Sequence, residues 1–382
     1  MNLLAFLLTC CAVACSAEEV PQRFSQRAVH MGVEFEVVLY APNEAAAMKA
    51  ITAALARVAE LDKVLSDYDP ESELSRLGEG SPSAMPVKVS DDLWAVLLAS
   101  QKLSAKSEGK FDLTIGPLTK LWRRARRQKE LPTKEQIEHA LASVGYKNLQ
   151  LDEKRHTAKL LKPNMRLDAG GIAKGFAAEE ALETIRELGI TQALVRASGD
   201  IAAGDSPPGE IGWKIGLAPL DPDQPPTRFI WLKNGAVSTS GDSRQHLIVD
   251  GKRYSHIIDP QTGYGIEGRS SVSVIAPRGI DADSIASAVS ILGPDLGLKL
   301  VEETPGAAML MIAEKEGHQI VCKDIEQEVD LVEARQQGVL DPAGLEQLHD
   351  VDVRGLVKNL VEGLEIIPHG RNAREIMALR EE

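Results

Sequence analysis

Residues 33–40, VEFEVVLY, alternate so that Val33, Phe35, Val37 and Leu39 share one face, and Met48, Ile51, Leu55, Val58, Leu61 and Leu65 then recur at helical spacing. A half-buried strand followed at once by a long amphipathic helix buries both apolar faces most simply when helix lies on sheet, so a mixed chain of strands and helices is expected. The helix is predicted over 43–65, entered through Pro42-Asn43. Ser90 caps a second helix that ends near Gly109, and Thr133 with Gln136 forms a capping box for a third that stops at Gly145. Further on, helices are expected at 173–188, closed by Gly189, and at 282–292, with strands at 193–196, 213–217, 228–232, 245–249 and 271–276. The stretch 205–226, rich in Pro, Gly and Asp, reads as a surface excursion around the strand at 213–217. No internal repeat is evident.

The 382 residues suffice for a sizeable core, and 43% apolar with 26% charged residues is ordinary for a soluble globular body. A net charge of −13 argues against wrapping nucleic acid, which needs a basic face. The first seventeen residues, MNLLAFLLTCCAVACSA, resemble an export signal, although no Lys or Arg lies near Met1. Two processing readings compete. Ala12-Val13-Ala14 before Cys15 suits lipoprotein cleavage with a lipid on Cys15, and Cys15-Ser16-Ala17 before Glu18 suits ordinary signal peptidase. Either leaves at most Cys15 and Cys322, so no disulfide framework or cysteine metal site is expected. The expected organisation is a signal at 1–17, a main domain at 18–320 and an acidic, helical-looking appendage at 321–382, where Leu340 to Ile367 carries no readable chemistry.

Three constellations bear on chemistry. Residues 167–175, LDAGGIAKG, form a glycine turn into a helix, where backbone N–H groups and Lys174 suit an anion; an ordinary strand-to-helix turn fits the composition equally well. It is not a Walker A loop, because the lysine precedes a glycine and then Phe176. In the second, Asp283 and Ser287 stand four apart on one helical face and offer two oxygens to a hard cation, the bland alternative being that Asp283 is a helix-start residue. The third is HIIDPQTG at 256–263, a strand running into a turn, where His256 is either a general base or a structural histidine. Arg123, Arg124, Arg126 and Arg127 read as a solvated helix face, and Trp94 and Trp122 as packing residues.

Taken in order, the motifs resemble the FAD:protein FMN transferase family, the ApbE-like proteins, from about Met31 to Gly293. They are Met31-Gly32, SDYDP at 66–70 with SELS at 72–75, GKFDLT at 109–114 with GPL at 116–118, LDAGGIAKG, ASGDI at 197–201, AVSTSGD at 236–242, HIIDPQTG, and ADSIASA at 282–288. The resemblance implies an α+β fold, a mixed α/β architecture related to tunnelling-fold proteins, with FAD as substrate in a cleft and Mg²⁺ at its pyrophosphate. It makes Met31, Tyr68, Lys110, Phe111, Asp112, Asp168, Lys174 and Ile257 flavin-contacting positions. It makes Asp283 and Ser287 metal ligands, helped by the backbone carbonyl of Gly171, and His256 the base. Ser287 stands where the family usually has Thr, which keeps the oxygen; Val33 replaces a usual Thr, and Ser243 a common aromatic.

The implied activity is Mg-dependent transfer of FMN from FAD to a Ser or Thr hydroxyl, releasing AMP. The implied acceptors are subunits of membrane redox complexes carrying a flavinylation motif, met on the periplasmic side by an exported, lipid-anchored enzyme. Two rivals use the same cleft: an FAD pyrophosphatase giving FMN and AMP, and a non-catalytic flavin-binding lipoprotein.

Overall fold

The computed structural model describes residues 20–242, 245–315 and 318–323. The leader with Cys15, the departure at Ser243 and the segment 324–382, including Leu340 to Ile367, lie outside the described residues.

The chain begins with a hairpin of β1 (Gln22–His30) and β2 (Val33–Ala41). His30 pairs with Val33, and both linking residues, Met31 and Gly32, have positive φ, 50° and 71°, so the link is a type I′ turn, whose twist suits antiparallel strands. The Met31 N–H donates to Asp62 Oδ2 at 2.9 Å, which fixes the turn against α1 (Glu44–Leu65). Asn43 caps α1 by accepting the Ala46 N–H at 3.0 Å. A peripheral run follows: α2 (Glu73–Glu79), β3 (Val87–Lys88), α3 (Asp91–Lys106), α4 (Gly116–Gln128), α5 (Lys134–Leu141), β4 (Leu149–Asp152) and β5 (Thr157–Leu160). Then come α6 (Ala173–Glu187), β6 (Ala193–Ala197), β7 (Asp200–Ala203), β8 (Trp213–Leu217), β9 (Arg228–Leu232) and β10 (Gly235–Gly241). The last group is β11 (His246–Val249), β12 (Lys252–Ile258), β13 (Gly265–Glu267), β14 (Ser270–Ala276), α7 (Gly279–Glu302), β15 (Ala308–Lys315) and β16 (His318–Lys323).

Eight strands form one antiparallel sheet in the order β1-β2-β6-β7-β10-β14-β15-β16. On one face, Phe35, Val37 and Leu39 of β2 join Ile51, Val58 and Leu61 of α1, Ile185 of α6 and Val289 of α7 in the main core. The other face is covered by the β8–β9 hairpin, whose Trp213, Ile215 and Ile230 pack with Val38, Leu194 and Leu310. The stretch 205–226 is therefore more than a surface excursion, because its strand closes the back of the sheet. A third cluster, with Leu118 and Trp122 of α4 against Leu247 and Tyr254, ties α4 and α5 to β11 and β12. Trp122 is fully buried, and its Nε1–H donates to the Gly263 carbonyl at 2.8 Å.

The arrangement is α+β, with helices layered on an antiparallel sheet. The strands at 213–217 and 228–232 fall on their expected residues. The helix expected at 282–292 is the first limb of α7, which breaks at Gly293 (φ 76°, ψ −176°) ahead of Pro294 and continues to Glu302. The expected domain boundary at 320 falls inside β16, paired with β15 as far as Lys323.

Candidate active site

The end of α1, one flank of α4, the turn into α6, β12 and the first turns of α7 enclose a cleft of about 1050 Å³. Met31, Tyr68, Lys110, Phe111, Asp112, Asp168, Gly171, Lys174, His256, Ile257, Asp283 and Ser287 all line it. The loop between β8 and β9 adds Pro219, Pro222, Gln224 and Pro226 to its wall.

Glycines bring α6 and α7 together at the floor. A Cβ on Gly175 would lie 2.2 Å from the Gly279 carbonyl oxygen, and one on Gly171 would lie 2.7 Å from Ser287 Oγ. Only backbone without side chains fits there. This contact carries Asp283 against the start of α6, where its Oδ2 accepts the Gly175 N–H at 3.0 Å. Lys174 Nζ sits 3.2 Å from Asp200 Oδ2 and 3.7 Å from Asp283 Oδ2, and donates to the Gly170 carbonyl at 3.2 Å. The lysine is therefore already paired and is not the free phosphate-seeking charge that its motif suggested. Burial works to lower its pKa, but the Asp200 and Asp283 carboxylates override this and hold it above the ordinary value. Burial, then repulsion from Asp200, pushes Asp283 up to about 7 against the pull of Lys174.

With both carboxyl groups ionised, Asp200 and Asp283 against one ammonium leave a negative charge in excess, which a cation would offset while favouring the ionised form of Asp283. The Asp283 carboxylate, the Ser287 hydroxyl and the Gly171 carbonyl are all oxygen donors, the set a hard cation prefers. Among the described residues no group of three His, Cys, Asp or Glu side chains could hold a metal. A cation here would therefore take its remaining ligands from substrate phosphates and water. On those terms the residues fit Mg²⁺.

Elsewhere on the cleft lining, the His256 N–H and Nδ1 both lie within hydrogen-bond distance of the Gln245 carbonyl, at 3.0 and 3.1 Å. A carbonyl only accepts, so Nδ1 carries the proton and Nε2 keeps its lone pair. Burial, then the Arg126 guanidinium, lowers the imidazole to a pKa of about 4. The neighbouring Lys110 ammonium pairs with Asp259 at 2.8 Å. Asp112 is committed within the fold: Oδ1 accepts from the Thr114 N–H and hydroxyl at 2.8 and 2.7 Å, and Oδ2 from the Tyr146 N–H at 2.7 Å. It shapes the cleft wall around Phe111, which is 7% exposed.

Arg124 and Arg127 lie on the solvated face expected of the cluster, but Arg123 and Arg126 turn into the cleft. Arg123 bonds Asp67, reaches Asp168 Oδ2 at 2.9 Å, and lays its guanidinium 4.2 Å from the centroid of the Tyr68 ring. Asp168 accepts the Gly170 N–H through Oδ1 at 2.8 Å, so Arg123 braces the glycine turn from outside. Burial, then repulsion from Asp168, pushes Asp67 up to about 6. Arg126 also lines the cleft, half-buried, and burial followed by Arg123 lowers its pKa. The signal was in the sequence: Leu118, Trp122 and Ala125 form the buried stripe of α4, and Thr119, Arg123 and Arg126 repeat the same spacing one residue later, along the cleft. Asp200, inside the ASGDI motif, had no role assigned and proves to be the main partner of Lys174.

A family model described as the ApbE family matches residues 31–311. The FAD:protein FMN transferase of Haemophilus influenzae is 32% identical over 270 residues, covering 68% of this chain and 77% of the relative. That of Escherichia coli K12 is 32% identical over 262 residues, covering 67% and 74%. Among solved structures, the flavin transferase ApbE of Vibrio cholerae superposes with a TM-score of 0.72 at 28% identity, covering 80% of this chain and 97% of that one. The ApbE protein of Thermotoga maritima superposes with a TM-score of 0.70 at 30% identity, covering 79% and 97%.

Proposed function

The chain belongs to the ApbE family, and from that premise we propose that, as a FAD:protein FMN transferase, it moves FMN from FAD onto a Ser or Thr hydroxyl of an acceptor protein and releases AMP. The acceptor oxygen attacks the phosphorus of the FMN half, the bond from that phosphorus to the bridging oxygen breaks, and the bridging oxygen leaves with AMP. The hydroxyl proton goes to His256 Nε2. One observation carries this reading: a histidine whose proton is held on Nδ1 by a backbone carbonyl shares a single cleft with the Asp283 and Ser287 oxygen pair.

Asp283, Ser287 and the Gly171 carbonyl would hold Mg²⁺, which when bound offsets charge on the pyrophosphate and leaving group. The protein's own residues do the positioning. Tyr68, under Arg123, offers a ring face for a planar ligand, and the Asp168 carboxylate fixes the glycine turn. At rest His256 is a weak base. The anionic pyrophosphate opposes the field of Arg126 and raises the imidazole pKa when substrate enters, so the base strengthens when it is needed. The acceptors in this proposal are subunits of membrane redox complexes, reached on the periplasmic side by an enzyme anchored through lipid on Cys15.

The deciding experiment incubates the purified protein with FAD and Mg²⁺, with and without Ser- or Thr-containing acceptor, and assigns products by mass spectrometry. Acceptor-bound FMN and AMP in equal amounts are expected. Free FMN and AMP regardless of acceptor would make the enzyme a pyrophosphatase. Intact FAD in every arm would leave a flavin-binding protein only.

A further inference from the structure

Beside the cleft lies a second cavity of about 310 Å³, and Asp67, Tyr68 and Arg123 line both, so the paired Tyr68 and Arg123 stand as the wall between them. Its charges are uneven. Lys120, Arg123 and Arg127 enter from α4 and Arg166 from the stretch before the glycine turn, against Asp67 and Glu79. Asp67 is already paired with Arg123. Lys120, Arg127 and Arg166 are exposed and have no ion pair among the described residues. On α4 the cations Lys120, Arg123 and Arg127 stand at i, i+3 and i+7, on one face of a helix that contains no acidic residue. Like charges at that spacing repel, and of the three only Arg123 has its charge offset within the described fold, by Asp67 and Asp168.

Resting on the transferase reading, we propose that Lys120, Arg127 and Arg166 dock an acidic stretch of the acceptor polypeptide, outside its reacting residue, and so hold the acceptor hydroxyl at the mouth of the cleft. A basic pocket on a chain of net charge −13 is complementary to a local acidic segment and unsuited to a broad anionic surface, which the rest of the molecule repels. The cavity is concave and admits a few side chains, not a bilayer. A tight phosphate site would recruit backbone N–H groups at the helix start, yet α4 begins Gly116-Pro117, and Pro117 has none to give. The shared wall sets the distance: whatever fills this pocket lies one side chain from the flavin cleft.

Two measurements on the full chain loaded with FAD test the proposal. In the first, fluorescein-labelled octaglutamate and octaglutamine are titrated by anisotropy at low and high salt. Octaglutamate should bind at least about tenfold more tightly, lose that advantage as salt rises, and lose it again in the K120E/R127E variant, with recovery in K120R/R127K. FAD affinity should stay unchanged in both variants. In the second, a randomised Ser/Thr-centred peptide library is incubated with FAD and Mg²⁺; labelled peptides should be enriched in Asp and Glu away from the centre, and K120E/R127E should erase the enrichment. Equal binding of the two octapeptides, or indifference to charge reversal, overturns the docking site. Binding of phosphatidylglycerol vesicles through these residues without octaglutamate binding makes the patch a membrane surface, and displacement of octaglutamate by micromolar inorganic phosphate makes it a small-anion site; either also overturns it. A library with no labelled peptide counts against the transferase reading, while the anisotropy result still decides the pocket.

Discussion

His256 and Arg126 form one electrostatic unit. Because burial and Arg126 hold the imidazole at about 4, it is neutral in the free enzyme well below the pH 6.5 at which an exposed histidine would lose its proton. The acid limb of kcat/KM, which reports the free enzyme, should therefore fall near pH 4 and not near 6.5. His256→Asn should remove that limb and slow transfer by roughly 10²–10⁴-fold with FAD affinity little changed; normal transfer by the folded variant would end the base assignment. Arg126→Gln should raise the His256 pKa, read from the ring-proton shift by NMR, because the second-largest cause of its depression is gone. Stability follows the same sign. An unfolded chain binds this proton near pH 6.5 and the folded one only near 4, so the contribution of His256 is present above 6.5 and lost as pH falls towards 4. For the oxygen pair, Asp283→Ala should abolish Mg²⁺-dependent turnover while FAD binding stays measurable by fluorescence; undiminished turnover at limiting Mg²⁺ would remove Asp283 from the site.

Among elements, the crossing of α6 and α7 matters most, since it alone sets where Asp283 and Ser287 meet the glycine turn. Gly175→Ala drives a Cβ to within 2.2 Å of a backbone carbonyl that has no rotamer to yield, so a loss of about 1–3 kcal/mol is expected in chemical denaturation. An unchanged midpoint would show that the helices slide apart without cost. Elements with an end signal and a one-sided face were legible from sequence: α1 behind Asn43, α3 behind Ser90, α5 behind Thr133, and β8 with its strict alternation. Those without one were not. In β15, Met309 and Met311 face the main core while Leu310 and Ile312 face the hairpin, so its apolar run has no period to read. β1 is a mostly exposed edge strand with little apolar face, and β10 turns Thr239 and Ser240 into the cleft where a core strand would carry larger apolar groups. In the site, the residues that the motifs singled out line one cleft, but the pairing of Lys174 with Asp200 and the inward turn of Arg123 depend on long-range packing that no local pattern encodes.

Across the whole molecule, two cores lie back to back on one sheet. The family match, from 31 to 311, covers most of that body. Lys174, lodged between Asp200 and Asp283, already supplies positive charge at the centre of the site, unlike small metal-folded domains whose ligands repel one another until the ion arrives. Treatment with a chelator should therefore stop transfer yet move the melting temperature by less than about 2 °C, the shift that about 1 kcal/mol produces in a domain of this size. A large drop in a differential scanning experiment would make the ion a structural support. On the proposed reading the lysine acts as a resident placeholder: loss of the ion would leave the protein folded but idle, and return of the ion alone would restore transfer.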